Sequence, residues 1–113
     1  MDTFDLSEAL EIVDGDKDLF QEIANMLLEN LPHDLERIRN AITNNDAHML
    51  ERAAHSLKGA VGNFSAKLSF EAAYRLEKLG KENKMAEAQE AFKKLENEIA
   101  ALEVELNRVL MEI

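Results

Sequence analysis

Residues 85–113 read MAEAQEAFKKLENEIAALEVELNRVLMEI, and the spacing of their apolar positions decides the fold. Met85, Ala88, Phe92, Leu95, Ile99, Leu102, Leu106, Val109 and Ile113 recur at alternating steps of three and four, a heptad spacing held for about four heptads. A helix gathers such positions on one face, whereas a strand would scatter them over both. Opened by Asn83 and rising about 1.5 Å per residue, this helix is expected to span roughly 43 Å. A stripe of that length needs a partner equally long.

The partner lies upstream. Phe20, Ala24, Leu27, Leu31, Leu35, Ile38 and Ile42 keep one face across Pro32. Residues 17–44 therefore read either as one helix kinked at Pro32 or as two nearly collinear helices with Pro32 in the first turn of the second. Two shorter stripes separate the long ones: Ala47, Leu50, Ala54, Leu57, Val61 and Phe64, then Leu68, Ala72, Leu76 and Leu79. Punctuation residues mark the boundaries. Ser7 is expected to cap a first helix running to about Val13, and Asp14-Gly15-Asp16 forms a turn with Asp16 as the next cap. Asn44-Asn45-Asp46 forms the following turn and cap, Ser65 caps the fourth helix, and Gly80 sits as a glycine just past that helix's end.

Two long and two short helices joined by brief polar turns imply an all-α fold. The expected architecture is an antiparallel four-helix bundle with a short additional N-terminal helix, a single domain over residues 1–113, with the last helix projecting beyond the shorter pair. One proline, four glycines and few aromatic residues argue against a sandwich or an α/β fold.

The third stripe carries the chemistry. At about 100° per residue, His55 falls roughly 130° from the mean direction of that stripe, on a face shared with His48, Glu51, Arg52, Lys58, Gly59 and Gly62. His55 is thus expected to meet solvent as an approachable nucleophile. Each glycine inside a helix costs about 1 kcal/mol relative to alanine, and neither Gly59 nor Gly62 lies on the apolar stripe, so something other than core packing keeps them. Without a Cβ, Gly59 leaves the surface one turn past His55 flat, and Lys58 supplies a cation for a doubly charged phosphoryl group.

The string AHSLKGAVGNF, Ala54 to Phe64, closely resembles the signature of histidine-containing phosphotransfer (HPt) domains, Ala-His-x-Leu-Lys-Gly followed by small residues, a glycine and an apolar residue. The resemblance covers most of the chain: an acidic, leucine-rich helical stretch precedes the signature, and Leu76-Glu77 is similar to the family's recurrent Leu-Glu pair. Ser65 departs from it, since many members have glycine at that corner. The resemblance implies that His55 accepts the phosphoryl group, Lys58 is its charge partner and Gly59 is a steric spacer. On the same face His48, Glu51, Arg52 and Gly62 are the candidate docking residues. It also implies a phosphorelay: His55 takes the group from the aspartyl phosphate of one receiver domain, within a system headed by a hybrid histidine kinase, and hands it to the aspartate of another. Mg²⁺ is then expected from the receiver, with no cofactor or metal of the chain's own.

Composition bounds this reading. At 113 residues the chain holds one core and is too short for a kinase domain with its nucleotide site, and it has no Gly-rich phosphate loop; a carrier is expected rather than an enzyme. Cysteine is absent, which excludes disulfides and thiolate metal sites. Met1 to Leu10 holds three acidic residues and no basic one, and no apolar run approaches the ~20 residues of a membrane span, so a cytoplasmic protein without direct membrane contact is expected.

A net charge of −10 disfavours nucleic acid, whose binding rests on lysine and arginine. The charge is segregated. Residues 52–84 hold seven basic and three acidic side chains, a net of +4 that leaves −14 for the rest. A basic face around His55 suits an acidic partner pocket; the plainer reading makes these charges the solvated outsides of helices.

Other chemistries fit less well. His48, Glu51 and His55 share a face at metal-ligand spacing, but no second histidine-bearing helix completes a site and Lys58 would crowd the cation. No Glu-x-x-His pair occurs, which excludes the di-iron bundle pattern. Ser56 points some 100° from His55 on a helix and makes no Ser-His pair with it. A helical adaptor or dimerisation bundle would account for the heptads of residues 85–113, but it leaves Gly59, Gly62 and an exposed His55 without a purpose. A sensor-kinase dimerisation hairpin would require a nucleotide domain.

Overall fold

A computed structural model describes residues 6–112. The elements are α1 (Leu6–Ile12), α2 (Lys17–Thr43), α3 (Ala47–Gly62), α4 (Lys67–Lys81), a single 3₁₀ turn (Met85–Glu87) and α5 (Ala88–Glu112). Helices α2 to α5 form an antiparallel four-helix bundle with α1 beside α2. The expected fold is the observed one. At ~1.5 Å per residue α2 and α5 rise about 40 and 38 Å against about 24 and 22 Å for α3 and α4. The long pair therefore continues past the short one along a molecule 42 Å in its longest dimension.

The stripes read from the sequence form the core. Phe20, Ala24, Leu27, Leu31 and Ile38 of α2, Leu50, Ala54, Leu57 and Val61 of α3, Ala72, Leu76 and Leu79 of α4, and Ala88 to Val109 along the heptads of α5 are all buried. Each such leucine, isoleucine, valine or phenylalanine side chain stabilises the fold by about 1.5–3 kcal/mol relative to an exposed one. Leu35, Ile42, Leu68 and Met85 are half-buried at the edges, and Ile113 lies outside the described residues. Helix α2 runs unbroken through Pro32. The missing proline N–H leaves the carbonyl of Leu28 without its helical donor, and a proline on the exposed face lets water take that place.

The turns are stricter than the stripes. Asp16 and Asp46 cap α2 and α3 as expected, their carboxylates accepting from the backbone N–H of Leu19 at 3.1 Å and of Met49 at 3.0 Å. Four other boundary assignments are corrected. Ser7 lies inside α1 and is not its cap. Ser65 does not cap α4: it takes a left-handed conformation (φ 54°) to turn the corner, and Ala66 occupies the cap position with no side-chain bond. Gly80 is not a terminal glycine but lies within α4, where a Cβ would meet the Ala47 carbonyl oxygen and the Glu51 backbone nitrogen, each at 2.7 Å. There the α3 and α4 backbones come too close for any side chain between them. Asn83 supplies the left-handed residue (φ 56°) that ends α4 and does not open α5, which begins only after the 3₁₀ turn at Met85.

Candidate functional site

The hairpin of α3 and α4 folds about Ala66. His55 lies eleven residues before it and Glu77 eleven after, as Gly62 and Phe70 lie four on either side. Antiparallel packing brings each pair level. His55 Nδ1 stands 3.2 Å from Glu77 Oε2, with 67% of the imidazole side chain exposed. The other oxygen of that carboxylate, Oε1, lies 2.8 Å from Lys58 Nζ, and both of these side chains are more than four-fifths covered. That contact is an ion pair without the alignment of a hydrogen bond, and among the described residues Oε1 has no hydrogen-bond donor besides. One carboxylate therefore serves two neighbours, holding an exposed ring through one nitrogen and a sheltered ammonium through the opposite oxygen.

Burial by itself would raise the Glu77 pKa, but the contacts with Lys58 and His55 outweigh it and hold the carboxyl below its usual range. Glu77 is thus ionised at neutral pH. An ionised carboxylate only accepts, so Nδ1 carries the ring proton in the neutral imidazole and Nε2 keeps its lone pair. Lys58 Nζ also lies over the Tyr74 ring at 4.9 Å and the Phe70 ring at 5.8 Å. These contacts fix the long lysine stem along the groove between α3 and α4.

The two glycines differ. A Cβ at Gly59 would meet no heavy atom within 4 Å, so the space beside it is open, whereas a Cβ at Gly62 would stand 3.3 Å from the Phe70 ring. Gly62 therefore has a packing reason to be small.

His48, Glu51, Arg52 and His55 are brought together as the lining of one open groove of about 460 Å³, shared with Ser56, Glu77 and Arg37. Gly62 is not in it; it borders a second hollow beside Phe70 and Lys67. Ser56 lines the groove without a hydrogen bond to the imidazole among the described residues. No group of three histidine, aspartate or glutamate side chains converges on a metal position among them either. Sequence reasoning singled out neither Glu77 nor Arg37 as site residues. Counting outward from the turn at Ala66 would have paired Glu77 with His55, and the same count about Asn45 sets Arg37 level with Arg52.

The structure thus presents, on an antiparallel bundle, an exposed mid-helix histidine oriented through Nδ1 by a carboxylate. The Hpt domain model matches residues 22–105, and the chain belongs to that family: it is a histidine phosphotransfer module of the phosphorelay type. Among relatives, it is 36% identical over 101 residues to the sensor protein GacS of Pseudomonas syringae pv. syringae, which covers 89% of this chain and 11% of GacS. The chain thus spans only a small part of that relative's length. Its fold matches histidine-containing phosphotransfer protein B (HptB) of Pseudomonas aeruginosa PAO1 with a TM-score of 0.91 at 19% identity, over 98% of this chain and 96% of that one. It also matches the HPT domain of an Hpt sensor hybrid histidine kinase from Shewanella with a TM-score of 0.85 at 22% identity, over 98% and 96% of the two chains. Among the described residues no helix is long and apolar enough to cross a membrane.

Proposed function

We propose that His55 is the phosphoryl-accepting residue, receiving the group from the aspartyl phosphate of one receiver domain and passing it to the aspartate of another. The observation that carries this reading is the Nδ1 contact with Glu77, which holds an exposed ring with Nε2 as the free nitrogen. Nε2 attacks phosphorus in line with the acyl oxygen; the N–P bond forms, the P–O bond breaks, and its electron pair returns to the partner's carboxylate. No proton leaves the site. The ring becomes a phosphorylated imidazolium whose proton stays on Nδ1 against Glu77, and the reverse step restores the neutral imidazole.

Lys58 supplies positive charge to the equatorial oxygens as they approach, and the bare surface at Gly59 admits the partner's backbone. Mg²⁺ and the reacting aspartate come from the receiver, because phosphoryl transfer needs more positive charge than one lysine gives. His48, Glu51 and Arg52 border the approach. The chain works as a cytoplasmic carrier without a nucleotide site, fed by a hybrid histidine kinase. The test is transfer of label from a phosphorylated receiver: the wild-type chain takes it up, His55→Gln folds but does not, and ATP with Mg²⁺ alone labels neither. Labelling of His55→Gln, or of the wild type by ATP alone, would overturn the reading.

A further inference from the structure

Arg37 belongs to α2 and yet lines the same groove as His55. It lies eight residues before Asn45, the tip of the turn between α2 and α3, and Arg52 lies seven after it, which sets the two positions near one level on adjacent helices. Glu51 and Glu77 occupy the other side of the groove, where Gly80 brings α4 against the Glu51 backbone. The groove is therefore polarised across His55, with a basic wall toward α2 and an acidic wall toward α4.

The acidic wall is partly neutralised, since Glu77 faces Lys58 and His55. The basic wall is not. Arg37 is half-buried and Arg52 exposed, and neither has a carboxylate within 4 Å among the described residues, although the chain carries 23 acidic residues and a net charge of −10. Asp34, one turn before Arg37, feels its charge but stays beyond ion-pair distance. The other arginines of the long helices are used differently: Arg39 pairs with Glu36 and Glu96, and Arg108 with Glu105 and Glu112. Free guanidinium groups beside the nucleophile are an unfilled electrostatic site.

The geometry points to Arg37, together with Arg52, as the docking contact for the carboxylate-bearing rim of the incoming receiver domain, guiding that acidic pocket onto His55 from the α2 side. This rests on the phosphotransfer reading above. A fork of N–H donors held half-buried loses less freedom on pairing than a mobile lysine, and complementary charge acts mainly on the rate of encounter. Arg37 is in this sense a docking residue and not a catalytic one.

The test uses a receiver domain, charged with acetyl phosphate and Mg²⁺, that labels the wild-type chain, and measures the second-order rate of transfer at several salt concentrations. Arg37→Glu is expected to slow it by about tenfold at low ionic strength, with most of the difference gone at about 0.5 M salt. Arg37→Gln, which keeps the stem and its packing, is expected to slow it by about threefold. Lys17→Glu makes the same change in net charge roughly 30 Å away along α2, and should slow transfer by less than about twofold. Equal effects of Arg37→Glu and Lys17→Glu, or no effect of either Arg37 variant at low salt, would overturn the proposal while leaving the carrier role intact. Failure of every receiver to label the wild type would overturn both.

Discussion

Glu77 Oε2 lies 3.2 Å from His55 Nδ1, and this one contact sets which nitrogen of the ring is left free. Removing it should be felt in regiochemistry as well as in rate. In Glu77→Ala the ring loses its acceptor, so the Nδ1–H and Nε2–H tautomers both become populated, as ¹⁵N chemical shifts of His55 would report. Transfer is expected to slow by about ten- to a hundredfold, the effect expected when a group that orients a catalytic histidine is lost. Glu77→Gln keeps an acceptor oxygen and should restore the tautomer better than the rate, because the amide carries no charge to balance the imidazolium. A wild-type tautomer in Glu77→Ala would show that packing alone orients the ring.

The same carboxylate makes stability depend on acid. Its pKa lies below the ordinary value of 4.5 in the folded chain, so the unfolded chain binds the proton more tightly. The stabilisation it provides is full above the unfolded value and is lost as pH falls through the lower folded one. Thermal melts between about pH 6 and pH 2 should show the wild type losing an increment that Glu77→Gln lacks; parallel curves would remove the Lys58 and His55 contacts as its cause.

In the proposed transfer, Lys58 is shared between Glu77 and the phosphoryl group. Lys58→Ala is expected to leave phosphorylation of His55 detectable, to slow transfer, and to shorten the lifetime of the phosphohistidine, since the charge on its oxygens then loses a neighbouring cation. The Phe70 ring loses its cation at the same time, which costs about 0.5–1 kcal/mol in a melt, while Tyr74 keeps Lys78 at 5.0 Å. Unchanged transfer and lifetime together would confine Lys58 to its structural pair with Glu77.

Two glycines of one hairpin should answer the same substitution with opposite signs. At Gly59 a Cβ meets nothing within 4 Å, so Gly59→Ala is expected to stabilise the chain by about 0.5–1 kcal/mol through helix propensity, while Gly59→Leu stays folded but blocks transfer by filling the space beside the ring. At Gly80 a Cβ meets backbone atoms at 2.7 Å, and backbone cannot swing aside as a side chain can. Gly80→Ala should therefore destabilise by about 1–3 kcal/mol and loosen the register that sets Glu77 opposite His55. Denaturant melts and transfer rates on the three variants check this, and a stabilised Gly80→Ala would contradict the close approach of the two helices.

The stripes were legible in the sequence because burial of apolar side chains is periodic and local. Heptads from Ala88 to Val109 and the steps from Leu50 to Val61 mark the core helices directly. His55 was legible for the converse reason: it stands off its stripe with glycines beside it. What stayed hidden depends on contacts between helices. Asn83, not Gly80, ends α4, and Gly80 lies within it because the α3 backbone, twenty-nine residues upstream at Glu51, decides where a glycine is needed, and no local pattern records that. Glu77 and Arg37 are ordinary helix-surface residues until the turns at Ala66 and Asn45 fix which neighbours they meet.

Ser65 shows the same dependence at a single backbone angle. Four non-glycine residues among those described have positive φ, and three of them are Asp14, Asn45 and Asn83, the types that tolerate it best. Ser65 at φ 54° is the exception, held there because the corner must reverse the chain between Asn63 and Lys67 and Ala66 is fully buried. A left-handed residue with a Cβ is strained by roughly 1–2 kcal/mol, which glycine avoids. Part of that gain is returned through the greater freedom of glycine in the unfolded chain. Ser65→Gly is therefore expected to stabilise the protein by about 0.5–1 kcal/mol, and Ser65→Val to destabilise it by more, since a β-branched side chain tolerates this region worst. Both should leave the tautomer of His55 unchanged, because the corner lies almost three turns away. Equal stability of the glycine and valine variants in a denaturant melt would show that the corner relaxes out of the left-handed region in solution.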